Sequence, residues 1–448
     1  MKKGIWILAL VVMVAAFSFG QGKQASPAGD RSGQLPPEQA QGQAPLIMGY
    51  DVAPGAGQDI SDKYPTNSEL GYKGVVMANF NSADAADEIV VDFGAQGLWY
   101  YNNGNWLQIS GLNPDSIIAA LTITSTDDEI IADFGATGLW YWDGNTWFQM
   151  SGVNATGMFA TDDDSDGIDD VHVDFGALGV WRFDFDSFSM ANWRQLSNLN
   201  PYEGLRMDFR TAGYEEGLWS FPTYGLWNIW FFGANPVYNQ LTGTVTIEDD
   251  FASSNFASSS GAEDVVADFA GLGLWMFRAS DEVWYQISSM SANRVKEVKF
   301  VGGQDYELLA EDNAGGLYWG NWNGASFTWT LITNSDIGPS AAWCETFDED
   351  GTDSGDEEVI IPLTGAGALK YDYSAGPALT TWISDSPAWY ISCMVKGDYY
   401  GRGYDSTLAV VFSSASAAGA PGLWLYDKQA TWGASWAHIS NSVPDGLY

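Results

Sequence analysis

The stretch Asp162-Asp-Asp164-Ser-Asp166-Gly167-Ile-Asp-Asp170 has residue types and spacing suited to holding a hard cation. Carboxylates stand at its first, third, fifth and ninth positions and a glycine at the sixth allows a tight turn, so Asp162, Asp164, Asp166 and Asp170 could offer several oxygen ligands within one loop. A solvated acidic turn is the alternative. A second loop, Asp348-Glu-Asp350-Gly-Thr-Asp353-Ser-Gly-Asp-Glu-Glu358, repeats the theme with altered spacing through Asp348, Asp350, Asp353 and Glu358. Asn79, Asn81, Asp84 and Glu88 form a third set with one inserted residue. Leu121–Glu129 carries threonines where ligands should stand, so no ion is expected there, and Asp208–Glu216 keeps only its first and last acids.

Other chemistry is thinly represented. The chain has 2 His and 2 Cys among 448 residues, which leaves little room for His-based acid/base or zinc chemistry. His172 sits in the middle of an apolar strand as a core or channel residue, and His438 has no adjacent Ser, Cys or acid to form a triad. There is no phosphate-binding glycine loop. No catalytic residue is singled out. With 57 Asp+Glu, a converging carboxylate pair at a channel mouth is the enzymatic alternative, that of a carbohydrate-active lyase or hydrolase. A formal charge of −39 repels phosphate backbones, so nucleic acid and anionic membrane are not expected partners.

Aromatic side chains are the remaining candidates. Trp99, Trp140, Trp181, Trp227, Trp275 and Trp424 recur at one equivalent position, and such regularity favours packing over ligand stacking. The cluster around Trp227, Trp230 and Phe231 and the pair Tyr399-Tyr400 break the pattern and are the candidates for stacking against a ligand. Cys344 and Cys393 lie 49 residues apart, each just before an acidic loop. They either form a disulfide or remain two buried thiols.

The elements that position these residues follow from a repeat. Glu88-Ile-Val-Val-Asp-Phe-Gly-Ala-Gln-Gly-Leu-Trp99 returns as Glu129–Trp140, Asp170–Trp181 and Asp264–Trp275. Weaker copies end at Trp227, Tyr318, Lys370 and Trp424, and the spacings are 41, 41, 46, 48, 43, 52 and 54 residues. In the first unit Gly74–Ala78, Glu88–Phe93, Gly97–Tyr101 and Trp106–Ser110 read as strands, separated by turns such as Asn102-Asn-Gly-Asn105. Four strands per period of this length predict an all-β fold, a single β-propeller of four-stranded antiparallel blades. Eight copies predict eight blades, with seven plus a divergent unit as the alternative. Ring closure could need Leu46–Asp51 or Val443–Tyr448 as an added strand. The recurring Asp92, Asp133, Asp174 and Asp268 are expected to cap their own turns by accepting main-chain N–H groups two residues on.

An acidic loop, a strand and Asp-Phe-Gly-Ala-x-Gly-Leu-Trp together resemble the FG-GAP/VCBS class of propeller repeats, over roughly residues 70–440. The resemblance implies a Ca2+-stabilised scaffold for adhesion, and the Asp162–Asp170 loop is similar to that class's calcium loop.

Ahead of the repeats, Lys2-Lys3 and an apolar run from Ile5 to Phe17 end at small residues before Gly20, the pattern of a secretory signal spanning 1–20. Residues 21–46 are rich in Gln, Pro, Ala and Gly and lack aromatics, as a tether would, which leaves 47–448 for the propeller. The expected protein is secreted, cell-surface or periplasmic and is not inserted in a membrane. It binds an extracellular protein or polysaccharide without catalysis. A structural role in a surface layer or matrix is the third reading.

Overall fold

The computed structural model describes residues 74–440 apart from 82–84, 123–126, 186–191, 211–214, 233–234, 244–246, 258–261, 270, 301–305, 314, 336, 338–343, 349–356, 364–366, 373–379, 385–390, 403–404, 413–420 and 428–435. The chain divides into Met1–Gln34 and Leu35–Tyr448, and every described residue belongs to the second part. The expected signal, tether and candidate closing strands lie outside the described residues.

Eight four-stranded antiparallel sheets follow one another, each built from four consecutive strands. From opening to closing strand, blade 1 runs from Val75–Ala78 to Asn105–Ser110, blade 2 from Ser116–Ala120 to Trp147–Ser151, and blade 3 from Gly157–Thr161 to Trp193–Ser197. Blade 4 runs from Glu203–Met207 to Asn235–Gln240, blade 5 from Ile247–Ser254 to Val283–Gln286, and blade 6 from Ala292–Val298 to Phe327–Thr333. Blade 7 runs from Glu345–Phe347 to Thr380–Ser384 and blade 8 from Ile391–Gly397 to Trp436–Ser440. This is the eight-bladed propeller, and the seven-bladed alternative falls.

Second strands such as Glu88–Asp92, Glu129–Asp133 and Asp170–Asp174 are buried along their whole length because a neighbouring sheet covers each face. The core is accordingly eight separate apolar layers, one between each pair of neighbouring blades. The last of them joins Cys393, Val395, Ala409 and Val411 of blade 8 to Val75, Ile89 and Val91 of blade 1. With opening strand Ile391–Gly397 packed on Val75–Ala78, the ring closes among the described residues without borrowing a strand.

The recurring phrases of the repeat are turn chemistry. In blades 1 to 3 the link between second and third strands is a single 3-10 turn at Gly94–Gln96, Gly135–Thr137 and Gly176–Leu178. As expected, Asp92, Asp133 and Asp174 accept the N–H of Gly94, Gly135 and Gly176 at 2.8, 3.1 and 2.7 Å, whereas Asp268 accepts Ser291 Oγ and the Ala292 N–H of the next blade, at 3.0 and 2.8 Å. The indole N–H groups of Trp99, Trp140, Trp181, Trp227 and Trp275 each donate to a carbonyl of their own turn, three residues back. A second tryptophan set works between blades. Trp147, Trp193, Trp284 and Trp329, on closing strands, donate to the main-chain carbonyls of Ile109, Met150, Leu241 and Ile287 of the preceding blade.

One expectation shifts by a residue. Strand pairing puts Leu369, and not Lys370, at the tryptophan position of blade 7, because the bulge at Ala368/Leu369 matches the bulge at Leu98/Trp99. Lys370 therefore shares the register position of Arg182.

Gly138, after the turn of blade 2, has φ +80 and ψ −164, and an added Cβ would lie 2.2 Å from the Ser151 carbonyl oxygen. Gly144 has φ +83 with nothing within 4 Å of such a Cβ. We expect Gly138→Ala to cost about 2–4 kcal/mol and Gly144→Ala about 1 kcal/mol in denaturant unfolding. Equal costs would contradict the close-approach account.

Candidate functional site

In blade 3 the acidic loop bridges opening strand Gly157–Thr161 and second strand Asp170–Asp174. Ser165 at φ 64 and Gly167 at φ 87 turn the chain back on itself. The Asp162 carboxylate accepts the N–H groups of Asp166 and Gly167, both at 3.0 Å, and Asp166 Oδ1 accepts that of Ile168 at 2.8 Å. Folded this way, Asp162, Asp164 and Asp166 bring one oxygen each to within 4.8 Å of one another. Asp164 Oδ1 is buried and has no hydrogen-bond partner. Oxygen ligands 2.3–2.6 Å from a calcium ion sit at such separations, so this trio fits a hard cation.

Asp170, expected as the fourth ligand, groups instead with Asp163 and Asp164, whose carboxylate oxygens also lie within 4.8 Å of one another. It turns inward onto Arg182, to which it is hydrogen bonded. Side chains alternate along a strand, so Asp170 and His172 share one face of the sheet, and the pairing of His172 with Arg182 brings the guanidinium to that face. Arg182 donates to Asp163 Oδ1, Asp164 Oδ2 and Asp184 Oδ2, all at 2.8 Å, as well as to Asp170. His172, fully buried between Phe159 and Trp219, lies with Nε2 2.7 Å from Asp163 Oδ2. Burial pushes the Asp163 carboxyl up, but its bonds to His172 and Arg182 outweigh that and leave it lowered. Burial and the neighbouring charge of Asp163 raise Asp170 well above the usual carboxylate range.

The other loops close with protein donors. Glu88 accepts the N–H of Phe80 at 3.0 Å and Asn102 Nδ2 at 2.7 Å, and Glu129 accepts both N and Oγ1 of Thr122. Glu216 takes the N–H of Phe209 and a bond from Arg210. Of the second predicted ligand set, Glu358 is buried at the start of its strand and Asp348 donates its N–H to the Asp405 carbonyl at 3.1 Å. Asp350 and Asp353 lie outside the described residues, as does Asp84 of the third set.

Beside these loops a further set of carboxylates joins neighbouring blades at several junctions, whereas between blades 5 and 6, among the described residues, only the Tyr306 N–H, donating to the Asn255 carbonyl, takes that place. Asp128 accepts the Asn79 N–H at 3.0 Å while donating its own N–H to the Asn79 carbonyl at 2.6 Å. Asp169 with Leu121, Glu263 with Asp208 and Glu357 with Lys299 repeat the two-point clamp. Asp87 with Asp398 makes the same clamp between blades 8 and 1, with bonds of 2.6 and 3.0 Å. No sequence motif announced it, because the acid precedes its strand by one residue and its partner lies a blade away.

The stacking candidates separate. Trp227 is 1% exposed and Phe231 6%, so neither offers a ring face to a ligand. Trp227 is the repeat tryptophan of its blade, and Phe231 is covered by Arg182 at 4.3 Å and Arg194 at 5.5 Å. Trp230, Tyr399 and Tyr400 are half-buried. Arg210 lies 4.2 Å over Trp230, Arg402 4.9 Å over Tyr400, and Tyr399 stacks on Tyr101 with ring centroids 6.1 Å apart. Because strands alternate in direction, these residues and all the acidic loops sit at the same end of the blades.

Cys344 and Cys393 are free, buried thiols. They belong to different core layers, Cys344 between blades 6 and 7 and Cys393 between blades 8 and 1, so a disulfide is not made. Burial pushes the Cys393 thiol up to about 12 and Cys344 in the same direction, which leaves both protonated at neutral pH.

No protein-family model and no curated protein matches the sequence. Among solved structures, the lectin BP39L from Burkholderia pseudomallei is similar at 12% identity and a TM-score of 0.49, covering 84% of this chain and 99% of its own. BBS1N, from a complex with ARL6DN, is similar at 10% identity and a TM-score of 0.46, covering 85% of this chain and 97% of its own. The extracellular domain of the putative one-component system BT4673 from B. thetaiotaomicron is similar at 12% identity and a TM-score of 0.36, covering 82% of this chain and 53% of its own. At these identities the likeness is one of fold. Among the described residues no helix is long and apolar enough to cross a membrane.

The clamps make stability pH-dependent. Burial raises Asp87 from 3.8 to about 6, with the Asp398 N–H opposing and Asp405, Asp398 and Asp128 adding to the rise. Burial likewise raises Asp169 to about 7 and moves Asp128 and Glu263 upward. The folded state thus holds these protons more tightly than the unfolded chain. Their contribution is fully present below pH 3.8 and is lost as pH rises through about 6 to 7. Asp281, lowered to about 2 chiefly by its bond from Arg278, works in the opposite sense below that window. The thermal midpoint is expected to fall between about pH 5 and about pH 8, and Asp87→Asn to flatten the slope. A midpoint rising across that range would contradict the assignment.

Proposed function

We propose that this protein is an exported, non-catalytic β-propeller that binds an extracellular protein or polysaccharide, with calcium stabilising its third blade. The observation that carries the reading is the convergence of Asp162, Asp164 and Asp166, at the end of the ring where Trp230, Tyr399 and Tyr400 keep part of their surface open. It agrees with the resemblance of the repeats to the FG-GAP/VCBS class. When bound, the ion would supply positive charge to the outer carboxylates; Asp162, Asp164 and Asp166 would hold it, and main-chain carbonyls or water would complete its shell. The partly exposed rings of Trp230, Tyr399 and Tyr400 suit the apolar faces of sugar rings or an aliphatic side chain. A net charge of −39 favours a neutral or basic partner over a polyanion.

Calorimetric titration with calcium checks the ion. Wild-type protein is expected to give a binding heat that Asp164→Ala and Asp166→Ala lose; equal heats in all three would refute the site. For the partner, a glycan and extracellular-protein array should yield a ligand whose binding weakens about tenfold in Trp230→Ala or Tyr400→Ala. A ligand bound equally well by both variants would move the binding surface elsewhere.

A further inference from the structure

We propose that Arg182 is a resident counter-ion, supplying from within its sheet the positive charge that its blade's acidic loop would otherwise need from a bound ion, and that Lys370 is the counter-ion of Asp372 at the equivalent position of blade 7. The inference deepens the cation reading above and rests on it only in naming the outer trio as the ion site.

The pattern across the blades carries the argument. Blade 3's loop at 162–170 has six acids in nine residues and blade 7's at 348–358 has seven in eleven, whereas the corresponding loops of the other blades have three or fewer. One register position on the third strand holds Tyr100, Tyr141, Arg182, Asn228, Met276, Trp319, Lys370 and Leu425 in blades 1 to 8. Only the blades with the two acid-rich loops place a base there.

In blade 3 the arrangement is complete. Arg182 is 3% exposed, bonds four carboxylates at once, and has one face covered by the ring of Phe231. A guanidinium carries five N–H donors in a fixed fork, which suits several carboxylates better than an ammonium would. In blade 7, Lys370 is 5% exposed, with Nζ 3.7 Å from Asp372 Oδ2, and Asp372 holds the position that Asp184 holds in blade 3. Blades 4 and 8 reach a related end from the loop side: Arg210 bonds Glu216, and Arg402 bonds Asp427.

Arg182 therefore divides the loop's acids. Asp163, Asp170 and one oxygen of Asp164 belong to the guanidinium. Asp162, Asp166 and the other oxygen of Asp164 form the outer trio. A cation has three carboxylates to act on, one of them shared, so it binds reversibly to a loop that is already in shape.

Thermal unfolding of the full chain tests this. Chelation should lower the wild-type midpoint by about 2 °C or less. Arg182→Met should lower it by about 5 °C or more, because it leaves buried carboxylates uncompensated. Adding Asp170→Asn to Arg182→Met should recover about half of that loss. Lys370→Met should behave likewise, with recovery from Asp372→Asn. If Arg182→Met does not fold, a folded Arg182→Met/Asp170→Asn chain supports the proposal in the same way. The proposal is overturned by an Arg182→Met chain as stable as wild type, by a double variant no better than the single one, or by a wild-type chelation loss as large as the Arg182→Met loss. A wild-type chain that takes up no calcium would defeat the ion reading and leave this one standing, since the variant comparisons need no calcium.

Discussion

At five junctions between neighbouring blades an acidic residue accepts a main-chain N–H from its neighbour on its carboxylate and donates its own main-chain N–H to a carbonyl of the same residue. Only two adjacent blades held at a fixed distance and angle can make both bonds. The clamp between Asp87 and Asp398 makes that condition hold between the last blade and the first. A repeat array without it would be an open row whose end blades exposed an apolar face. The closed ring buries both faces of every sheet, and each layer depends on the two blades that enclose it.

The same constraint accounts for the protein's electrostatics. Fixing a carboxylate against a neighbour's backbone takes it out of water and near other acids, and this is why Asp87 and Asp169 hold protons at unusually high pH. Such groups could be mistaken for catalytic acids. Their recurrence from blade to blade shows that they are joints. Bases then appear where acids are most crowded, as with Arg182 among four carboxylates and Lys396 near Glu357 and Asp405. A chain with 18 Lys+Arg against 57 Asp+Glu keeps several of its few cations inside.

Regularity also separates scaffold from function. The tryptophans that recur in every strong repeat have their N–H groups committed to turns or to the preceding blade, and the recurring Asp-Phe-Gly is a turn and its cap. Residues that break the period, such as His172, Arg182, Trp230 and Tyr400, give individual blades their particular chemistry. Trp227 illustrates the distinction: it is placed by the repeat and lies buried with the other scaffold residues.

From its sequence alone this protein is legible as eight units of four strands, with Asp92, Asp133 and Asp174 as turn caps and one loop in which Asp162, Asp164 and Asp166 converge. These are local properties, set by alternation along a strand and by the few backbone shapes a short turn allows. The fate of Asp170 was not legible, because it depends on which third-strand residue lies opposite, a matter of register and bulge position. Neither was the separation of Cys344 from Cys393, nor closure without an added strand, since both depend on how far around the ring each layer falls. The clamps were the least visible of all: they join residues about one repeat apart, or at closure 311 apart, and a main-chain N–H leaves no mark in a sequence. Spacing along the chain determined which groups could act. The packing of sheet against sheet decided which of them meet.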